Sequence, residues 1–187
     1  MAQTKPAGTW TYEDLFSLPD DGRRYEIIEG ELYEMPSPSS AHAFVIAALI
    51  RLLMPLADNL GGQWCTAPID VFFPGANPVQ PDILVILPGG PARIVPRGIE
   101  GAPELLVEVL SPSNRGHDLL TKRALYARAG VREYWLVDPE ARTIEILALD
   151  GDAFHLTVTA SGDETPISPL FGPLPITVGD LFAGIDA

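Results

Sequence analysis

Two short apolar runs in the middle of the chain, residues 83–87 and 105–110, constrain the fold more than any other feature. Each run is continuous rather than alternating, and Pro- and Gly-rich segments separate the two. A strand is continuously apolar when both faces of its sheet are covered, as in parallel-type sheets of α/β proteins. A third such run, residues 134–137, follows a predicted helix at 117–129. The sequence therefore predicts an α/β (mixed α+β) fold, with a sheet between helices.

Patterns on either side of these runs predict two hairpins and two further helices. Gly30 and Gly151 stand where alternating segments meet, and glycine can adopt the positive φ that a tight turn requires. The longest predicted helix is apolar nearly all the way round, so we expect it to be buried. In chain order the predicted segments are a capped helix at 11–15, an N-terminal hairpin at 25–35, a helix at 42–60, a strand at 64–73 and a C-terminal antiparallel hairpin at 143–159.

Length and composition are consistent with one domain. A chain of 187 residues can bury a real core, and we assign residues 11–187 to a single domain after a disordered N-terminus at 1–10. No secretory signal pattern is present, and Arg51 and Pro55 interrupt the apolar helix, so we expect a cytoplasmic protein that does not enter membranes. Cys65 is the only cysteine, so a metal would be held by oxygen or imidazole.

The charge of the chain is strongly negative but unevenly distributed. The formal net charge is −13, which argues against a broad nucleic-acid-binding surface because phosphate contacts need Lys and Arg. Residues 93–132, however, carry seven basic and four acidic residues, whereas the segments on either side are acidic. This basic middle segment is either a binding patch or ordinary solvated surface.

Three residues in or beside the apolar runs indicate chemistry. Glu108 lies inside the 105–110 run, and a carboxylate is costly to bury there unless it is paired or binds a metal. Asp82 comes directly before the 83–87 run. Lys122 lies on the helical stripe that otherwise faces the core, so it points inward or along the rim. The alternatives are a buried glutamate neutralised by an arginine or by protonation, a simple strand-start aspartate and a lysine that reaches water.

A set of motifs in a specific order and spacing carries a resemblance over about residues 11–182. The motifs are Tyr25-Glu26-Ile27-Ile28-Glu29-Gly30-Glu31-Leu32, Ser40-Ala41-His42, Gln80-Pro81-Asp82, Glu108-Val109-Leu110-Ser111-Pro112-Ser113, Asp118 with Lys122 and Tyr126, and Gly130-Val131-Arg132-Glu133-Tyr134-Trp135-Leu136-Val137-Asp138. The set resembles the Uma-two family of putative restriction endonucleases, a branch of the PD-(D/E)xK nuclease superfamily.

The resemblance implies a restriction-endonuclease-like mixed sheet flanked by helices, and a metal-dependent endonuclease that acts on DNA. Asp82 and Glu108 would hold Mg²⁺ (or Mn²⁺), with the backbone carbonyl of Val109 and waters as further ligands. The superfamily pattern has a lysine two residues after the glutamate, but Leu110 stands there. The resemblance implies that the lysine has moved to the following helix, as Lys122, where it would orient or help to deprotonate the attacking water.

Four further residues are expected to support the site. Glu26, Glu29 and Glu31 in the hairpin are either candidates for an additional carboxylate or three exposed acids; Glu31 follows the turn glycine and is our choice. His42, in the first turn of the long helix, would contact phosphate or water, or would serve only as a capping residue. Asp118, four residues before Lys122, would hold the ammonium in place, and Tyr126 would pack over the lysine stem.

Three functions remain open on the sequence alone. The first is a Mg²⁺-dependent DNA endonuclease, for which a homodimer is expected because two strands are cut by paired sites. The second is a binding or regulatory module on a nuclease-like fold with a degraded site. The third is a small-phosphoester hydrolase, which would tolerate the acidic surface better.

Overall fold

The protein is described by a computed structural model that covers residues 5–6, 8–19, 23–35, 37–111 and 116–185, apart from the side chains of Arg24, Met35, His117, Asp118 and Leu119. Its elements in chain order are α1 Tyr12–Leu15, β1 Arg24–Ile28, β2 Glu31–Met35, α2 Ser40–Asn59, β3 Gln63–Thr66, β4 Val71–Phe72, β5 Ile83–Ile86, β6 Arg93–Val95, β7 Gly98–Glu100, β8 Leu105–Val109, a π-helical turn His117–Lys122, α3 Arg123–Ala129, β9 Glu133–Asp138, β10 Thr143–Asp150, β11 Ala153–Ser161, β12 Ile167–Ser168, β13 Gly172–Pro173 and α4 Val178–Leu181.

A six-stranded mixed sheet in the order β11-β10-β9-β8-β5-β3 forms the centre of the fold. The predicted mixed α+β class is confirmed, and the two apolar runs pair antiparallel rather than as in a parallel-type sheet. β8 is parallel to β9 and antiparallel to β5. The short excursion that contains the β6–β7 hairpin returns the chain beside β5 without a crossover helix, and an antiparallel neighbour is the result.

Different elements cover the two faces of this sheet. On one face α2 and the C-terminal segment that contains α4 pack against a large apolar cluster, which includes Val107, Val109 and Trp135. On the other face a three-stranded sheet of order β4-β7-β6 packs, together with α3, against a cluster that includes Leu84 and Leu106. Both faces of β5 and β8 are therefore covered, as their continuous apolar sequences predict.

The predicted hairpins and caps are confirmed. β1 pairs with β2 and β10 with β11, each in an antiparallel ladder. Both residues of the first turn have positive φ, 52° at Glu29 and 79° at Gly30. Glycine adopts such a φ without steric cost. Thr11 and Asp14 form a capping box at α1, and the Ser39 side chain accepts a hydrogen bond from the His42 N–H at the start of α2.

Two strand assignments differ from the sequence expectation. The predicted strand at 64–73 is two strands, β3 and β4, because Pro68 lies between them and has no N–H for a ladder. The β6–β7 hairpin has no counterpart among the predicted segments. Its strands have three residues each and Ile94 is largely exposed, so no alternating pattern marks them.

The helices also depart from expectation in two ways. The predicted helix at 117–129 begins as a π-helical turn and becomes α-helical only at Arg123. α2 is buried along one face alone, whereas Phe44 and Met54 on its other face are exposed. Among the described residues α2 is also the one helix that is long and apolar enough to cross a membrane, and about a third of its most apolar window is buried. Arg51 and Pro55 had led us to expect no such helix.

Glu133, at the start of β9, ties the C-terminal segment to the central sheet. Its fully buried carboxylate accepts hydrogen bonds from Trp135 Nε1 at 2.6 Å, Ser168 Oγ at 2.7 Å and the Leu170 N–H at 2.9 Å. Burial raises the pKa of this carboxyl, and the three donors offset the effect only in part.

This carboxyl should make stability depend on pH. Because its native pKa is raised, the folded state binds the proton more tightly than the unfolded state does, so the stabilising contribution is present at low pH. It is lost as pH rises through the raised native pKa, at about 1.4 kcal/mol for each tenfold difference in proton affinity. The unfolding free energy of the wild type relative to Glu133→Gln should therefore fall between acidic and neutral pH in urea titrations; a difference that is constant with pH would contradict this.

Candidate active site

The register of β5 against β8 brings the two predicted metal-binding acids to neighbouring positions. Leu84 is directly opposite Leu106, and both contribute to the apolar cluster under α3. Two residues further along this register Asp82 is opposite Glu108, on the same face of the sheet. Opposed Cβ atoms of antiparallel strands are roughly 5 Å apart. The two carboxylates therefore start from adjacent points at one end of the strand pair.

Asp82 is held by the backbone of β8 and by the first turn of α2. Its Oδ2 accepts a hydrogen bond from the Val109 N–H at 2.8 Å and lies 3.2 Å from His42 Nε2. The side chains of Asp82 and His42 retain 18% and 14% of their exposure. Both hydrogen bonds use Oδ2. Solvent can therefore reach the site beside Asp82 and His42.

Lys122 is buried between two carboxylates. Its Nζ lies 3.1 Å from Glu108 Oε1 and 3.4 Å from Glu26 Oε2, and the lysine is 1% exposed. Tyr126, four residues later, donates its hydroxyl to the same Glu108 Oε1 at 2.8 Å. The inward direction predicted for Lys122 is therefore observed, and Tyr126 reaches the glutamate itself rather than merely covering the lysine stem.

Glu26, and not Glu31, is the hairpin acid that reaches the lysine. By strand alternation the two glutamates share a face of the hairpin, since Glu26 is opposite Tyr33 and Glu31 is opposite Ile28. Glu31 lies two residues nearer the turn, roughly 7 Å further along the strand. One feature of the sequence favours Glu26: it directly precedes two apolar residues, Ile27 and Ile28, and this segment is buried in the structure.

A second layer of polar residues fixes Glu26. The Gln80 N–H donates to Glu26 Oε1 at 2.9 Å, and Gln80 Nε2 donates to Asp70 Oδ1 at 2.9 Å. The other Asp70 oxygen accepts the Tyr12 hydroxyl at 2.6 Å. This hydrogen bond, together with burial, raises the pKa of Tyr12 to about 12, so the phenol remains a donor at neutral pH. No motif or spacing in the sequence indicates this chain of contacts.

Two other predictions for the site concern Asp118 and the metal. The side chain of Asp118 lies outside the described residues, so its pairing with Lys122 stays a prediction. Among the described residues, no group of three or more His, Cys, Asp and Glu side chains has the arrangement of a metal cluster.

Three of the described basic residues in the middle segment, Arg97, Lys122 and Arg128, form ion pairs within the protein. Arg97 pairs with Glu100 at 2.6 Å, and Arg128 pairs with Glu29 at 2.7 Å, both on the surface. Arg123 donates to the Phe154 carbonyl, and Lys122 is buried. Part of the positive charge that the sequence places around the site is thus neutralised within the protein.

Removing the buried ammonium should destabilise the fold. Lys122→Met would leave Glu26 and Glu108 facing each other without a cation, and we expect a loss of about 3–5 kcal/mol of unfolding free energy at neutral pH. Adding Glu26→Gln to Lys122→Met should recover part of that loss, because one uncompensated charge is removed.

Urea denaturation at neutral pH measures both effects, with Arg132→Met as the matched control. Arg132 is exposed, so its loss should change the unfolding free energy by no more than about 0.5 kcal/mol. Equal stabilities for Lys122→Met and Arg132→Met would mean that the buried ion pairs do not hold the fold.

Comparison with known proteins agrees with this architecture. A solved structure described as a putative nuclease belonging to DUF820, from Anabaena variabilis, matches with a TM-score of 0.72 and 21% identity, over 92% of this chain and 97% of that one. No match is found among curated proteins. The pattern of the Uma2 family, described as "Putative restriction endonuclease", matches residues 12–179, so the chain belongs to the Uma2 family.

Proposed function

We propose that this protein is a divalent-metal-dependent endonuclease that hydrolyses phosphodiester bonds of DNA. The observation that carries the proposal is the convergence of Asp82, Glu108 and Lys122 at one end of the β5–β8 pair, in a chain of the Uma2 family. An acid pair beside a buried lysine is suited to placing a cation and a proton donor next to a phosphate.

The donor set fits a hard cation such as Mg²⁺, or Mn²⁺ in its place. Mg²⁺ binds proteins through one or two carboxylates and keeps several waters, which two acids without a third side chain satisfy. Asp82 and Glu108 would be these ligands. The Val109 N–H donates to Asp82, whereas the Leu110 N–H donates to β9. Because the N–H and C=O of one strand residue point to the same side, the Val109 carbonyl faces Asp82 and can be a further ligand.

The cation and the residues around it would have different roles in hydrolysis. When bound, the cation would supply Lewis acidity at the phosphate and acidify a bound water. Lys122 would donate a hydrogen bond to the attacking water or the phosphate. It would not act as a base, because an ammonium that is paired with two carboxylates has no lone pair to offer. Tyr126 and Glu26 position Glu108 and Lys122, and His42 stands beside Asp82, where it can contact a phosphate oxygen or water.

The substrate would approach from the side of Asp82 and His42. These two side chains keep some exposure, whereas Glu26, Glu108 and Lys122 are buried behind them. Cutting both strands of a duplex would require two such sites, so a homodimer acting on cytoplasmic DNA is part of the proposal.

A second candidate is a hydrolase of small phosphodiesters. The observation that favours it is the pairing of surface arginines with acids, Arg97 with Glu100 and Arg128 with Glu29, in a chain of net charge −13. Such a surface offers little counter-charge to a long polyanion, but a single phosphodiester would need only the site itself.

Asp82→Asn and Glu108→Gln test the metal site directly. Each should weaken Mg²⁺ or Mn²⁺ binding in calorimetry and lower cleavage of supercoiled plasmid by about 10²–10³-fold, because each removes a charged ligand. Asp150→Asn, which removes an exposed acid at the end of β10, should change neither measurement.

The same assays separate the candidates. Turnover of bis(p-nitrophenyl) phosphate with intact plasmid and oligonucleotides would favour the small-substrate hydrolase. Failure of the wild type to bind either metal, with Asp82→Asn and Glu108→Gln indistinguishable from it, would rule out both enzymes and leave a binding module on a nuclease fold.

A further inference from the structure

The solvent-facing side of α2 carries a stripe of apolar and charged residues that the described part of the chain leaves largely uncovered. Its members recur at alternating intervals of three and four residues, so they lie along one side of the helix. The core-facing side is a separate set that includes Val45, Leu49 and Leu52. We call the uncovered set the outer stripe, and it consists of Phe44, Ala47, Arg51, Met54 and Asp58.

The two large apolar members of the outer stripe are exposed, whereas Ala47 is half-buried. Phe44 is 65% exposed and Met54 is 41% exposed. Pro55, beside Met54, is also exposed and extends the apolar surface. Met54 and Pro55 together form an exposed apolar surface between Arg51 and Asp58, which is typical of a helix that docks on a partner.

The two charged members of the stripe lack partners within the described residues. Arg51 and Asp58 are both exposed, and neither makes an ion pair in the part of the chain that the structure describes. They are seven residues apart, which corresponds to about 10 Å along the helix axis. They therefore lie on the same side of α2 but too far apart to pair with each other.

We propose that the outer stripe is a dimer interface that binds α2 of a second copy of this chain in antiparallel orientation. If the two-fold axis passes close to Met54 and Pro55, their apolar surfaces meet at the centre. Arg51 of each copy then lies beside Asp58 of the other, so both charges are satisfied twice by symmetry. The outer stripe of one copy is therefore complementary to the outer stripe of the other.

Charge favours a second copy over other occupants. Each chain carries a net charge of −13, which opposes self-association over most of the surface, whereas the outer stripe carries one charge of each sign. An acyl-chain environment would leave Arg51 without a counter-charge in the middle of the stripe. A partner helix that supplies an acid there avoids this cost.

Association through the outer stripe does not depend on nuclease activity. It does connect to the candidate site, because α2 also carries His42 in its first turn, two residues before Phe44. Dimerisation through α2 would hold the helix that presents His42 to Asp82.

Charge reversal across the proposed interface provides the test. Sedimentation velocity over a range of micromolar concentrations should show a dimer for the wild type. Arg51→Asp and Asp58→Arg should each raise the dimer Kd at least about tenfold, because each places like charges together. The double variant Arg51→Asp/Asp58→Arg should return the Kd to within about threefold of the wild type, since the pairs are restored with inverted signs. Met54→Gln, at the centre of the interface, should also weaken the dimer, whereas Leu156→Gln, a matched exposed apolar residue on β11, should not.

Circular dichroism melting of each variant verifies that the monomer stays folded. A wild-type protein that sediments as a monomer at every concentration would overturn the proposal, including the case in which it binds lipid vesicles through Phe44. So would a dimer whose Kd is unchanged by Arg51→Asp, or a double variant that dimerises no better than the single variants.

Discussion

The buried contact of Lys122 with Glu26 and Glu108 is the interaction on which the rest of the structure depends. Each charge comes from a different part of the fold: the N-terminal hairpin, the turn before α3 and the central strand β8. A buried charge is tolerated only when it is paired, so these three elements must dock together for any of the three residues to be buried. The ammonium links the hairpin to the sheet.

The site has a closed side and an open side because of where it lies on the sheet. Glu108 is inside β8 and lies under α3, whereas Asp82 precedes β5 and lies at the rim beside the start of α2. The two acids thus share a face but differ in access to water. This arrangement keeps the lysine charge in a dry setting, where electrostatic interactions are strong, while a ligand can still reach Asp82.

The sequence predicted the residues whose burial is anomalous. Glu108 is a carboxylate within an apolar run, and Lys122 is a cation on a core-facing stripe, so the local pattern alone implied a partner for each. Glu31 was chosen over Glu26 because the short hairpin contains four acids, and local alternation does not say which of them meets a residue ninety-six positions away. The apolar composition of the helix at 42–60 predicts burial on all sides, but composition does not reveal how many sides the fold will cover.

What the sequence by itself determined is local: the caps, the turns at glycine, the mixed α+β class and the identity of the costly charges. These follow from backbone sterics and from the free-energy cost of desolvation, which act within a few residues. The tertiary structure decided the pairing. The antiparallel register of β5 with β8, the choice of Glu26 over Glu31 and the uncovered side of α2 depend on contacts between distant segments, because only packing selects among locally equivalent alternatives.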